Sequence, residues 1–203
     1  MREAIGLALL LAGCGGGQTD PEADEAGSNR AAGVSPSPMA KAEIVLTPEG
    51  FAPLRIGMTR AEVVKALGEA SDPDAVGGPD PQSCDEFRPA RAPEGMLVMI
   101  EDGRLTRISL GEGSAVKTDR GLGVGDTAAA VRAAYGGALQ AGPHKYEAAP
   151  AEYLTVWAKD PPKDERSEVP ASARGIVYEV GGKGVVQAVS AGGPSISYVE
   201  GCA

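Results

Sequence analysis

The apolar positions of this chain fall into two spacings that follow one another twice. The first block reads Ile56-Gly57-Met58-Thr59-Arg60-Ala61-Glu62-Val63-Val64-Lys65-Ala66-Leu67-Gly68. Val63 and Leu67 are four residues apart and share one helix face. Thr59 and Glu62 have the spacing of a capping box at a helix start, and Gly68 supplies a stop. The block returns as Val124-Gly125-Asp126-Thr127-Ala128-Ala129-Ala130-Val131-Arg132-Ala133-Ala134-Tyr135-Gly136. The two align without gaps at an offset of 68 (125 − 57). In the second, Val131 and Tyr135 are the helical pair and Gly136 the stop. Thr127 or Asp126 is the cap, and Ala130 stands where Glu62 would reciprocate it. Two short helices are predicted, one per block.

After each helix the period changes from 3.6 to 2. Met96–Glu101 and Arg104–Leu110 flank Asp102-Gly103, the favoured two-residue hairpin turn. At the tight register of that turn, Leu97, Met99, Thr106 and Ile108 share one face. Met96, Val98, Ile100, Leu105 and Arg107 then share the other. The second block is followed by Gly175–Val180, a turn through Gly184, and Val185–Ser190. Ile108-Ser109-Leu110-Gly111 matches Val189-Ser190-Ala191-Gly192 at an offset of 81 (192 − 111), and most of the extra length fits the polar stretch Asp160–Arg174. Further strands are predicted at Glu43–Thr47, Ser83–Arg88, Tyr153–Ala158 and Ile196–Glu200. The expected fold class is α+β: two tandem helix-plus-antiparallel-sheet units, 43–118 and 119–203, sharing one sheet. Neither unit is large enough to fold well alone.

The N-terminus has a different character. Arg2 precedes the apolar run Ala4–Ala12, which is too short to span a membrane, since a span takes roughly 20 residues. It ends in Leu11-Ala12-Gly13-Cys14, which resembles the lipobox of bacterial lipoproteins. That resemblance implies a signal peptide at 1–13, cleavage before Cys14, and acylation of Cys14, including palmitate. It places the chain in the cell envelope, and Gly15 after the cysteine points to the outer membrane, facing the periplasm. Residues 15–42 hold five Gly, three Pro, six Ala and four acidic residues, with Val34 and Met39 the only sizeable apolar side chains. Such a stretch cannot bury enough surface to offset its ordering entropy. Residues 14–42 are therefore expected to be a flexible tether.

A second resemblance rests on Gly57-Met58-Thr59, Glu62-Val63 and Leu67-Gly68. This motif is similar to that of the SmpA/OmlA-type lipoproteins of outer-membrane barrel assembly. A tandem pair of such units resembles the β-lactamase-inhibitor-protein fold, which implies a concave sheet that grips a partner protein. The second copy departs from the motif, with Asp126 in place of Met58 and Ala130 in place of Glu62.

Composition narrows the chemistry. The chain has 203 residues and a net charge of −9, which suits it poorly to nucleic-acid phosphates. Three Cys and one His cannot by themselves build an ordinary His/Cys zinc site, and no metal or cofactor is expected. With Cys14 lipidated, Cys84 and Cys202 remain; in an exported domain they are expected to pair, the alternative being two free thiols. Gly121-Leu122-Gly123-Val124-Gly125 lacks the spacing of a dinucleotide or phosphate loop and reads as the lead into the second helix. Asp72, Asp74 and Asp80 imitate a calcium loop without its closing bidentate Glu, because Ser83 stands there.

His144 is the natural general base for a hydrolase, yet no nucleophile motif accompanies it; the simpler reading is a loop imidazole at the sheet's rim. Arg107, Tyr153 and Trp157 are the better candidates, as binding anchors on an open sheet face. The alternative is that this face is covered by other strands or a loop. Three functions follow as expectations. The first is a non-enzymatic, lipid-anchored binding or scaffold module for an envelope protein or polymer. The others are an inhibitor of a β-lactamase or protease, and a hydrolase using His144.

Overall fold

The elements follow from local chemistry at their ends. A computed structural model of the chain describes residues 44–73, 77–164 and 167–202. The expectations for the signal peptide 1–13, Cys14 and the tether 14–42 lie outside them. Helix α1 is Arg60–Leu67, with the full capping box between Thr59 and Glu62. Helix α2 is Ala128–Tyr135, capped by Thr127 alone. Each ends on a glycine with positive φ, Gly68 and Gly136.

Three two-residue strands open the described chain: β1 (Leu46–Thr47), β2 (Gly50–Phe51) and β3 (Leu54–Arg55), forming a small sheet in that order. The remaining strands are β4 (Cys84–Phe87), β5 (Met96–Glu101), β6 (Arg104–Leu110), β7 (Gln140–Pro143), β8 (Glu152–Lys159), β9 (Arg174–Val180) and β10 (Val186–Gly192). They make one seven-stranded antiparallel sheet in the order β4-β5-β6-β10-β9-β8-β7. The mixed helix-and-sheet class is thus as expected, and strands from both sequence blocks lie in one sheet. They meet at the β6–β10 seam, where Ser109 faces Ser190 and their hydroxyls bond at 2.8 Å.

The core lies on the helix side of this sheet. Val63 and Leu67 of α1 and Val131 of α2 pack with Val98, Ile108, Leu110, Leu154, Tyr178 and Val189, all buried. Leu46, Phe51 and Leu54 of the small sheet join the same cluster. Inside it the Tyr178 hydroxyl bonds Thr118 Oγ1 at 3.0 Å and the Tyr135 hydroxyl at 2.9 Å. Burial pushes the pKa of both phenols up, so they stay neutral and act as hydrogen-bonding groups.

The two helix starts are bonded to the sheet in the same way. Gly57 N–H donates to Leu105 O and Leu105 N–H to Met58 O, each at 2.7 Å. Gly125 N–H donates to Val186 O at 2.9 Å and Val186 N–H to Asp126 O at 2.8 Å. Gly57 and Gly125 have φ of +95° and +90°, which glycine adopts without strain.

Two expectations need correction, and one strand was not foreseen. The β5–β6 hairpin does not keep its tight register: Ile100 pairs with Leu105, but Met99 pairs with Arg107, so Thr106 is an extra, bulged residue. A one-residue shift exchanges the faces of everything beyond it. Ile108 therefore joins Val98 on the core side, and Arg107 joins Met99 on the opposite side. The predicted last strand, Ile196–Glu200, is not a strand; Pro194–Ser197 is a 3-10 turn and the chain beyond it runs on without sheet pairing. The edge strand β7 was not foreseen, because Gln140-Ala141-Gly142-Pro143 has no apolar alternation.

Candidate binding face

The face opposite the helices is set by the bulge. On it lie Met99, Arg107, Ser190, Val177, Glu179, Tyr153, Thr155 and Trp157, as the cross-strand pairings require. The three residues expected to share a face, Arg107, Tyr153 and Trp157, therefore do share it, but they are not equally open.

Residues 193–202 form a strap across part of this face. The bulge starts it: Thr106 O accepts from Gly193 N–H at 2.9 Å. A side chain at Gly192 would meet the same carbonyl at 2.2 Å, so only glycine fits there. Arg107 then holds the strap. Its Nη1 donates to Ser195 O at 3.0 Å and Tyr198 O at 2.9 Å, and its Nη2 to Glu86 Oε1 at 2.7 Å. Arg107 is only 7% exposed, so it is a structural clamp and is not available to a partner. Glu86, adjacent to it on β4, was not singled out in the sequence. The available signal was opposite charge alone, Glu86 beside Phe87 in β4 and Arg107 beside Ile108 in β6. Glu86 Oε2 also accepts from Cys202 N–H at 3.4 Å. Cys84 and Cys202 are joined in a disulfide, with Cα atoms 5.5 Å apart, so the strap is pinned covalently to β4.

Trp157 lies where β8 faces Gly175. A Cβ on Gly175 would meet the indole Cε3 at 2.7 Å and Ile196 Cδ1 at 3.0 Å. The ring and the strap's isoleucine thus close over a glycine and leave Trp157 half-buried. Tyr153 is placed differently. Its ring stacks on His144, centroids 4.7 Å apart. Beside it a pocket of about 180 Å³ opens between β8, β9 and the strap, lined by Tyr153, Val177, Glu179, Ile196, Tyr198 and Val199 among others. Tyr198 and Val199 are 47% and 43% exposed at its rim. Burial raises the pKa of the Tyr153 and Tyr198 hydroxyls, reinforced by the charges of Glu179 and Glu101 respectively.

His144 has both ring nitrogens engaged. Nδ1 accepts from Tyr146 N–H at 3.2 Å and Glu147 N–H at 3.0 Å. Nε2 therefore carries the proton and faces Glu179 Oε1 at 3.2 Å. The side chain is 4% exposed. Next to it Lys145 and Tyr146 both bond Glu200 Oε1. The lysine first, then the tyrosine, lowers the Glu200 pKa. The imidazole thus orders the rim of the pocket.

The other motifs are accounted for locally. In the glycine-rich lead of α2, Gly121 and Gly123 donate to Thr118 O and Asp126 Oδ2, and Leu122 to Thr118 Oγ1, so these amides serve the turn itself. Lys117 and then the Gly123 amide hold the Asp126 carboxyl below its ordinary range. Part of the Asp72–Asp80 stretch, residues 74–76, lies outside the described residues. Among the described residues no group of three or more His, Cys, Asp and Glu could hold a metal ion. Comparison with protein-family models, with curated proteins and with solved structures gave no match in any of the three.

Proposed function

We propose that this chain is a non-enzymatic binding module, held in the cell envelope by lipid on Cys14 and the tether 14–42, that docks an envelope protein on the uncovered part of its sheet. One observation carries the reading: the pocket beside the strap, where Tyr153, Tyr198 and Val199 are gathered around a partly exposed Glu179 on a rigid, disulfide-pinned scaffold. Aromatic side chains on such a scaffold are preferred anchors for a partner. The reading also uses the lipobox resemblance of Leu11-Ala12-Gly13-Cys14. The binding reading is favoured over a hydrolase using His144 because Nδ1 of that residue accepts from two backbone amides and its side chain is buried.

The same proposal takes the folded part as two tandem units of the SmpA/OmlA-like kind. Support comes from the bonding of the helix starts, whose partners Leu105 and Val186 stand 81 positions apart (186 − 105) while Gly57 and Gly125 stand 68 apart. These are the two offsets at which the sequence blocks align. Inhibition of a β-lactamase or protease would use the same face and is separated from scaffolding by an inhibition assay.

Photo-crosslinking from position 199 in intact envelopes tests the docking reading. A discrete adduct is expected from 199 and not from position 65 on the exposed side of α1; equal labelling of both positions would overturn it. Loss of palmitate labelling in Cys14→Ala tests the anchor, and undiminished labelling would overturn that part.

A further inference from the structure

We infer that the pocket beside the strap is a socket for one cationic side chain, a lysine or arginine, of the docked protein. The inference rests on the docking reading and specifies its partner's chemistry. The cavity is about 180 Å³. Small-molecule sites usually measure about 300–1,000 Å³, so this one has room for a single side chain. Val177, Ile196 and Val199 offer apolar walls to a methylene stem, and Glu179 supplies a carboxylate. Tyr153 and Tyr198 contribute rings, whose faces favour a cation.

Glu179 is the deciding group. It has no lysine or arginine ion pair among the described residues; its one partner is the Nε2–H of His144. That imidazole accepts backbone amides at Nδ1 and so donates without bringing a charge. A carboxylate offers about four lone-pair sites, leaving acceptor capacity for a second donor. The cations nearby are committed elsewhere: Arg107 to Glu86 and the strap carbonyls, Lys145 to Glu200. The socket thus holds an unneutralised carboxylate beside apolar walls. The surrounding surface favours the same partner, since residues 44–203 carry 22 acidic against 16 basic groups, a field that draws in basic surfaces.

The test uses the purified full chain and two blocked amino acids. Nα-acetyl-lysine amide carries the ammonium; Nα-acetyl-norleucine amide has the same methylene stem without it. Titration followed by amide NMR shifts is expected to show lysine binding on the order of millimolar, as befits so few atoms. Shifts should centre on Tyr153, Val177 and Glu179. Norleucine should bind at least about tenfold more weakly, and Glu179→Gln should weaken lysine binding by about tenfold or more, the worth of a charge-assisted hydrogen bond. Ala188→Leu, which fills the pocket from β10 at the position paired with Glu179 and keeps the carboxylate, should abolish the shifts while leaving the rest of the spectrum intact. Equal binding of lysine and norleucine, or wild-type affinity in both variants, overturns the socket. The docking reading is judged separately by the crosslinking experiment, which requires no bound lysine probe.

Discussion

Replacing Arg107 by methionine should be the most damaging single change on the strap side of the sheet. The substitution keeps a long apolar stem and removes three charge-assisted donations: two to the Ser195 and Tyr198 carbonyls and one to Glu86. It leaves the Glu86 carboxylate, 11% exposed in its side chain, without its cation. Breaking a buried pair from one side typically costs about 3–5 kcal/mol, because the survivor's charge stays buried. Removing the charge as well should recover much of this. In the double variant Glu86→Leu, Arg107→Met the remaining deficits are two strap carbonyls and the Cys202 amide, at about 1 kcal/mol each. The double variant should therefore be about 1–3 kcal/mol less stable than wild type, and more stable than Arg107→Met alone. Urea unfolding of the oxidised protein, read by the single tryptophan Trp157, measures all three, provided the slope with denaturant is unchanged. A loss below 1 kcal/mol in Arg107→Met, or a double variant no more stable than the single one, would refute the clamp.

Tyr178→Phe should cost about 1–2 kcal/mol in the same assay, since it strips the Thr118 and Tyr135 hydroxyls of their shared partner in the core; an unchanged midpoint would mean that the chain of hydroxyls contributes nothing. Reducing the Cys84–Cys202 bridge, which closes a loop of 118 residues, should lower stability by about 2–4 kcal/mol. Urea curves with and without a phosphine reductant show whether it does. Asp126 titrates below its ordinary 3.8 in the folded protein. Its contribution is therefore complete above that pH and lost as pH falls through the lower folded value. The urea midpoint should hold from pH 7 to 5 and fall below pH 4, less steeply in Asp126→Asn; an identical acid slope in both proteins would remove Asp126 from the account.

What the sequence made legible was what repeats or caps. Thr59, Glu62, Thr127 and the two closing glycines mark the helix ends within a residue, because caps act over one turn. The Asp102-Gly103 turn located the hairpin for the same local reason. Thr106 escaped notice because a bulged residue leaves no mark in an alternating pattern, yet it decides the face of every later residue in its strand. The strap escaped too. Ile196-Ser197-Tyr198-Val199 alternates as a strand would, but Arg107, 88 positions before Ser195, takes the backbone carbonyls that a neighbouring strand would have used. The partial burial of Trp157 depends on Gly175 and Ile196, distant in the chain, and no local pattern encodes it.

The β6–β10 seam has a kinetic consequence. The start of β6 is bonded to Gly57 and Met58, but its longer part, Arg107–Leu110, finds its outer partner only in Val189–Gly192 of β10. Until that strand has been made, β6 presents an unpaired edge of mostly buried-type residues, the kind of edge that recruits other chains. Pairing so distant in sequence also makes folding slow relative to a helical domain. A chain built this way is exposed to aggregation throughout its synthesis. It is best served by being kept extended until its last strand is available, and every truncation short of residue 186 should yield a sticky product rather than half a protein.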